Sequence, residues 1–200
     1  MDGHISRMAK PSNRDKILTE GLRVVHAHGF AGSGVRDIVR AAGVPQGSFT
    51  NHFASKEAFG LEIIDLYLAR GRETMQATLL DDTQAPLARL AAYIDFQKDR
   101  QSQNGMRNGC LFGNFAAEAS ESCDSIRLRL VDVFGEVQTA MTYCLRAAVK
   151  AGELPEGFDC EETAGFIVSS LQGANLLCKT QRSSAPIDRF KKMLFDKVLR

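Results

Sequence analysis

No segment of this 200-residue chain approaches the roughly 20 consecutive apolar residues that a membrane-spanning helix needs, so no part of it is expected to cross a bilayer. The N-terminus also lacks the apolar core of a secretory leader. There is no Cys-x-x-Cys pair, and the five cysteines, Cys110, Cys123, Cys144, Cys160 and Cys178, are an odd number. That pattern argues against a disulfide framework or a zinc site and predicts free thiols in a reducing cytoplasm. All four histidines (His4, His26, His28, His52) fall in the first 52 residues, far in sequence from every cysteine. No Gly-rich phosphate loop, metal-ligand cluster or Gly-x-Ser-x-Gly elbow occurs. No cofactor or metal is therefore expected, and a cysteine-dependent enzyme stands only as an alternative. No β-alternating segment, internal repeat or low-complexity tract is found either.

What the chain does have is helical periodicity. Ile17, Leu18, Leu22 and Val25 predict a first helix over about 12–28, ended near Gly29. Further helices are expected at about 56–80, 86–103, 110–121, 124–151, 159–181 and 186–199. The clearest is 124–151, where an i, i+3/i+4 stripe runs from Ile126 through Leu130, Val133, Met141, Cys144 and Leu145 to Ala148. The expectation is an all-α protein of about nine helices, with a polar arm over 1–11. The near-zero net charge divides unevenly: residues 1–60 carry 8 Lys/Arg against 5 Asp/Glu, and 61–200 carry 17 against 19. The basic excess lies at the N-terminal end.

That end holds the segment GFAGSGVRDIVRAAGVPQGSFTNHFASK, residues 29–56. Val35, Ile38 and Val39 give one short helix an apolar face, Gly43-Val44 makes a sharp turn, and a second short helix starts near Pro45. Ser55 then caps the helix beginning at Lys56. Two helices joined by a tight glycine turn form a helix-turn-helix, whose second helix enters the DNA major groove. Phe49 and Phe53 would face inward, with Gln46, Thr50 and Asn51 outward. The amides of Gln46 and Asn51 suit bidentate pairing with adenine, and Thr50 suits a base edge or a thymine methyl. Gly47 leaves room for close approach to the DNA backbone. Arg36 and Lys56 are candidate phosphate clamps.

The run AAGVPQGSFTNHFASKEAF resembles the signature of the TetR family of bacterial transcriptional regulators: an Ala-Gly-Val turn, a Gly-Ser entry, an aromatic core and a Ser-Lys-Glu helix start. Gln46 stands where many members have lysine, and Thr50 where they usually have tyrosine. The resemblance covers nearly the whole chain. It implies a three-helix DNA-binding domain at 12–55, joined through helix 56–80 to a ligand-binding and dimerisation domain at 56–200. It adds Ser48 and His52 as DNA contacts. It also implies a homodimer on a palindromic operator, paired through the last two helices, where the small residues Gly165, Ser169, Ser170, Gly173 and Ala174 would allow close approach. A helical protein-interaction module without DNA binding is the second alternative.

Members of the family usually repress, and release DNA when a small-molecule inducer enters the C-terminal domain. Candidate pocket residues are Tyr93, Phe96, Phe112, Phe115, Met141 and Tyr143. The stretch NGCLFGNFAAEASESCDSIR resembles the electrophile-responsive NemR-like branch, which makes Cys110 a candidate sensor, with Lys179 in the position of that branch's lysine. A cysteine at a helix N-terminus with Arg107 nearby in sequence is placed where amides and positive charge favour the thiolate. The alternative is a small buried hydrophobe.

Overall fold

A computed structural model describes residues 12–119 and 123–200. The expected arm, 1–11, lies outside these residues, as does 120–122, where the sequence places the end of the sixth helix. Among the described residues there is no strand, and nine α-helices follow one another. Local chemistry sets most of their ends. Ser12 and Asp15 form a capping box that starts α1, Asn13–His28. Gly29, at φ +84°, lets the chain turn away from it. The Ser55 hydroxyl accepts from the Ala58 amide at 3.0 Å and starts α4, Lys56–Ala77. Pro86 opens α5, Pro86–Ser102. Between them lie α2, Val35–Ala41, and α3, Gly47–His52.

The C-terminal part continues with α6, Leu111–Ala119, α7, Asp124–Lys150, α8, Cys160–Gln181, and α9, Ala185–Met193. Two helix ends differ from the sequence reading. The fourth helix stops at Ala77 rather than 80, where the Leu80 amide closes back on the Met75 carbonyl at 3.0 Å and ends the regular i→i−4 ladder. The last helix is not α-helical to 199. Leu194–Val198 forms a π-helical turn, with the Leu199 amide on the Leu194 carbonyl. A π turn brings residues five apart towards one face, and Leu194 and Leu199 are both buried.

The buried side chains form two apolar cores. The first joins α1, α2 and α3 to the N-terminal halves of α4 and α7 and to α6; Ile17, Ile38, Phe59, Ile63, Phe115 and Ile126 lie at its centre. The second fills the space between α5, α7, α8 and α9. The helix-turn-helix unit thus shares its core with the helix that carries the Cys110 segment.

Candidate DNA-binding face and cysteine cavity

The turn between α2 and α3 is made at Gly43, φ +63°, a conformation a side chain would oppose. The short α3 is anchored by Phe49 and Phe53, each 3% exposed, whose rings pack on Phe59 at 5.3 and 5.2 Å. With that side sealed, Gln46, Gly47, Thr50, Asn51 and His52 are left exposed. Gln46 is the capping residue before the helix rather than part of its first turn. Neither Gln46 nor Asn51 is held by another side chain among the described residues. A Cβ added at Gly47 would meet nothing within 4 Å, so no internal packing requires a glycine there. No acidic residue lies between Asp37 and Glu57 in the sequence, and Arg36 on α2 is exposed and unpaired among the described residues.

Two side chains are placed differently from the outward set. Ser48 is buried, its hydroxyl 3.5 Å from the Asn13 amide of α1, because position 48 turns towards the core beside Phe49. Lys56 folds back, with Nζ 4.7 Å above the Phe30 ring and 3.5 Å from the Ala31 carbonyl. It braces the turn after α1 and does not project freely.

The Cys110 segment sits where the two parts meet. Cys110 immediately precedes α6 and is half-buried. It lines a cavity of about 40 Å³ together with Tyr67, Tyr93, Arg100, Phe112 and Met141. Three of the sequence's pocket candidates, Tyr93, Phe112 and Met141, are therefore brought together there. Three are not. Phe115 is 1% exposed and packs on Phe30 at 4.9 Å in the first core. Phe96 is 46% exposed and faces the outer cleft between α1 and α5. Tyr143 is also exposed and donates its hydroxyl to Asp82 at 2.7 Å.

Arg107 is exposed and does not line the cavity. Lys179 comes closer: its stem packs on Gly109, and its Nζ donates to Asn114 Oδ1 at 3.2 Å. Tyr67 and Arg100 were absent from the sequence-based set. Tyr67 belongs to the inward stripe of α4 and reads as plain core, and Arg100 lies in a polar run that reads as solvated.

The loop before Cys110 is also tied to the DNA-binding unit. His26 Nε2 lies 2.9 Å from the Gly109 carbonyl oxygen; a carbonyl only accepts, so this nitrogen carries the proton. At the other end of α6, the Glu118 carboxylate accepts from the Ala31 amide at 2.9 Å. Burial pushes the His26 imidazole below its ordinary 6.5, with Arg100 and Lys179 acting the same way and the Gly109 carbonyl opposing. The unfolded chain then takes up the proton more readily than the folded one. Stability is complete above the unfolded pKa and falls as pH drops through about 6.5 towards the lower folded value. Melting temperatures between about pH 7.5 and pH 5.5 are expected to decline in the wild type and to decline less in His26→Gln. Equal slopes in the two proteins would contradict this.

On α8, Phe166, Ser169, Gly173, Leu176 and Leu177 form an exposed face, with Leu176 64% accessible. Met193 of α9 is exposed too. Ala174 does not belong to that face. It is 6% exposed and packs in the protomer's second core, one step round the helix from Gly173. Ser170 is half-buried, and Gly165 packs against the Gln138 side chain.

A three-helix unit presenting an acid-free polar flank, built onto a larger helical body, is the architecture of a helix-turn-helix transcriptional regulator. The chain belongs to the TetR family. Residues 17–63 match the model for bacterial regulatory proteins of the tetR family, and residues 86–194 match the tetracyclin repressor-like C-terminal domain. The chain is 34% identical over 192 residues to the HTH-type transcriptional repressor DhaR of Mycobacterium sp. strain GP1, covering 96% of this chain and 95% of that protein. The crystal structure of a regulatory protein TetR from Rhodobacter sphaeroides superposes with a TM-score of 0.85 at 30% identity, covering 89% and 94% of the two chains. The reduced form of Escherichia coli NemR superposes with a TM-score of 0.80 at 26% identity, covering 94% and 97%. Among the described residues, no helix is long and apolar enough to cross a membrane.

Proposed function

We propose that this regulator is a repressor that binds a palindromic operator as a homodimer and lets go when an inducer or electrophile acts at the Cys110 cavity. Residues 12–55 form the DNA-binding part, and 56–200 the sensing and dimerising part. The observation that carries the reading is the outward flank of α3, with Gln46, Thr50 and Asn51 exposed and no acid between Asp37 and Glu57. Phosphates approaching that face meet no like charge, and the amides are free for base edges. Repression, as opposed to activation, is supported by the likeness to DhaR and NemR, both transcriptional repressors. Dimerisation is supported by the exposed apolar face of α8, around Phe166, Leu176 and Leu177, which a lone protomer leaves in water.

The sensing reading rests on Cys110 lining a cavity whose bordering loop is bonded to α1 through His26. An electrophile with an activated double bond would gain a carbon–sulfur bond to the thiolate while its π electrons take up a proton at the neighbouring carbon. A quinone-sized adduct is larger than the cavity of about 40 Å³ and would press on α6, which is fastened to the turn after α1 at Glu118. Helix α4 would then carry the displacement to the recognition helices. Coupling of about 1–3 kcal/mol weakens DNA binding about 5- to 150-fold.

Electrophoretic mobility shift on the protein's own upstream region tests both halves. Wild type is expected to shift the fragment, with affinity falling steeply as salt rises, and to release it in the presence of a quinone or unsaturated aldehyde. Cys110→Ser is expected to shift the fragment equally well and to stay bound. Equal release by wild type and Cys110→Ser would eliminate the thiol reading and leave a reversible ligand of the same cavity. Salt-insensitive or absent shifts would eliminate the DNA-binding reading.

A further inference from the structure

We infer that the cavity beside Cys110 is a binding site for a small organic carboxylate, held by the Arg100 guanidinium and the Tyr67 and Tyr93 hydroxyls. The inference rests on the reading of this cavity as the sensing site and names the chemistry of its occupant.

Two phenol hydroxyls without an acceptor for their protons and a guanidinium without a counter-ion meet at the cavity. The Tyr67 hydroxyl oxygen is buried without a hydrogen-bond partner, in a residue 6% exposed. The Leu111 amide approaches the same oxygen, but it is a second donor and leaves the phenol proton without an acceptor. Tyr93, 4% exposed, already accepts from Gln97 Nε2 at 2.9 Å, so its own proton is also unspent. Arg100 donates to Gln97 Oε1 at 2.7 Å and lies 4.8 Å above the Tyr67 ring. Gln97 thus links the guanidinium to the second phenol. Arg100 makes no ion pair among the described residues; Asp95 on the same helix is taken by Lys98 and Lys191.

No aspartate or glutamate lines the cavity, so its only formal charge is the arginine. A buried donor without an acceptor and a cation without a counter-ion both cost free energy that one bound anion would recover. A carboxylate fits better than phosphate. Its two in-plane oxygens match the guanidinium fork, and the rest of the wall, including Leu68, Met75 and Met141, is apolar and suits a short hydrocarbon tail.

Size and access agree. About 40 Å³ holds on the order of three waters, enough for a carboxylate with a chain of very few carbons. Tyr67 and Arg100 line both this cavity and the wide outer cleft between α1, α4 and α5. The same arginine therefore stands at the passage from solvent, where Arg23 and Arg70 line the outer cleft together with Glu20, Glu73 and Asp99. A ligand bonded to Tyr67 would also press on His26, whose ring meets the Tyr67 ring edge-on at 5.5 Å. That contact links the occupant to α1 of the DNA-binding unit.

Isothermal titration of the full chain with acetate, propanoate and butanoate, each compared with its neutral amide, tests the assignment. At least one acid is expected to bind saturably, and at least about 10-fold more tightly than its amide. Tyr67→Phe and Arg100→Gln are each expected to weaken that binding about 10-fold or more. Tyr67→Phe keeps the ring and removes one oxygen, so it decides the matter should Arg100→Gln fail to fold. Absence of acid binding, equal binding of acid and amide, or undiminished binding by Tyr67→Phe would overturn the proposal.

Saturated acids cannot alkylate a thiol, so the outcome is independent of cysteine chemistry. An acid that binds as expected yet leaves the operator complex intact in the gel shift would keep the carboxylate site and remove the sensing reading. Electrophile-driven release without any acid binding would do the reverse.

Discussion

Replacing Gln46 and Asn51 together with glutamate is expected to lower operator affinity by at least about 100-fold, with the fold and melting temperature unchanged. Each amide suited to a bidentate base pair is worth about 1–3 kcal/mol of discrimination, and each glutamate also brings a negative charge against the phosphates. Both side chains are exposed, so nothing inside the protomer depends on them. Fluorescence anisotropy with a labelled operator, alongside far-UV circular dichroism, would measure the two quantities. Retained affinity in the double variant would mean that α3 does not meet DNA. A parallel loss of helical signal would mean that the flank has a structural duty not visible in its contacts.

Phe59→Ala is expected to be the most damaging single truncation in the N-terminal part, at about 3–5 kcal/mol. The ring is fully buried and is the piece on which Phe49 and Phe53 of the recognition helix rest. Position 21 on α1 is glycine for the same reason, since a Cβ there would lie 2.5 Å from Phe59 Cζ. Removing the ring leaves a void between α1, α3 and α4. Against a total stability of about 5–15 kcal/mol, this loss corresponds to a melting temperature lower by roughly 6–20 °C. A thermal denaturation series would register it, and Phe59→Leu should recover much of the difference by refilling the volume. A melting temperature for Phe59→Ala within about 2 °C of wild type, less than 1 kcal/mol would produce, would show that the ring does not carry this junction.

The helices were legible because apolar spacing, caps and punctuation agree. Ser12 with Asp15, Ser55 before Lys56, Pro86 and Gly43 each act through neighbours within five residues, and each does in the fold what its local chemistry requires. The helix-turn-helix was legible for the same reason, down to the inward pairing of Phe49 with Phe53. What the sequence did not show is which side of a helix meets a neighbour. Ser48 looked like a polar contact and is buried against Asn13. Lys56 read as a phosphate clamp and lies over Phe30. Ala174 looked like an interface residue and fills the protomer's own core. Aromatic identity was an equally poor guide to the cavity. Phe96 and Phe115 went to an outer cleft and to another core, while Tyr67 and Arg100, from two other stretches of sequence, line the cavity with Cys110.

By itself, the sequence determined an all-helical chain with a glycine-hinged pair of short helices and a thiol just ahead of a third. Hydrogen bonds and apolar periods that close within a turn or two suffice for that. Only the tertiary structure decided that the thiol's loop is bonded to His26, and that an unpaired arginine and a phenol share its cavity. His26 and Gly109 are separated by 83 positions. No local pattern encodes such a meeting, because it depends on how two packed cores fix helices that are free of one another in the unfolded chain.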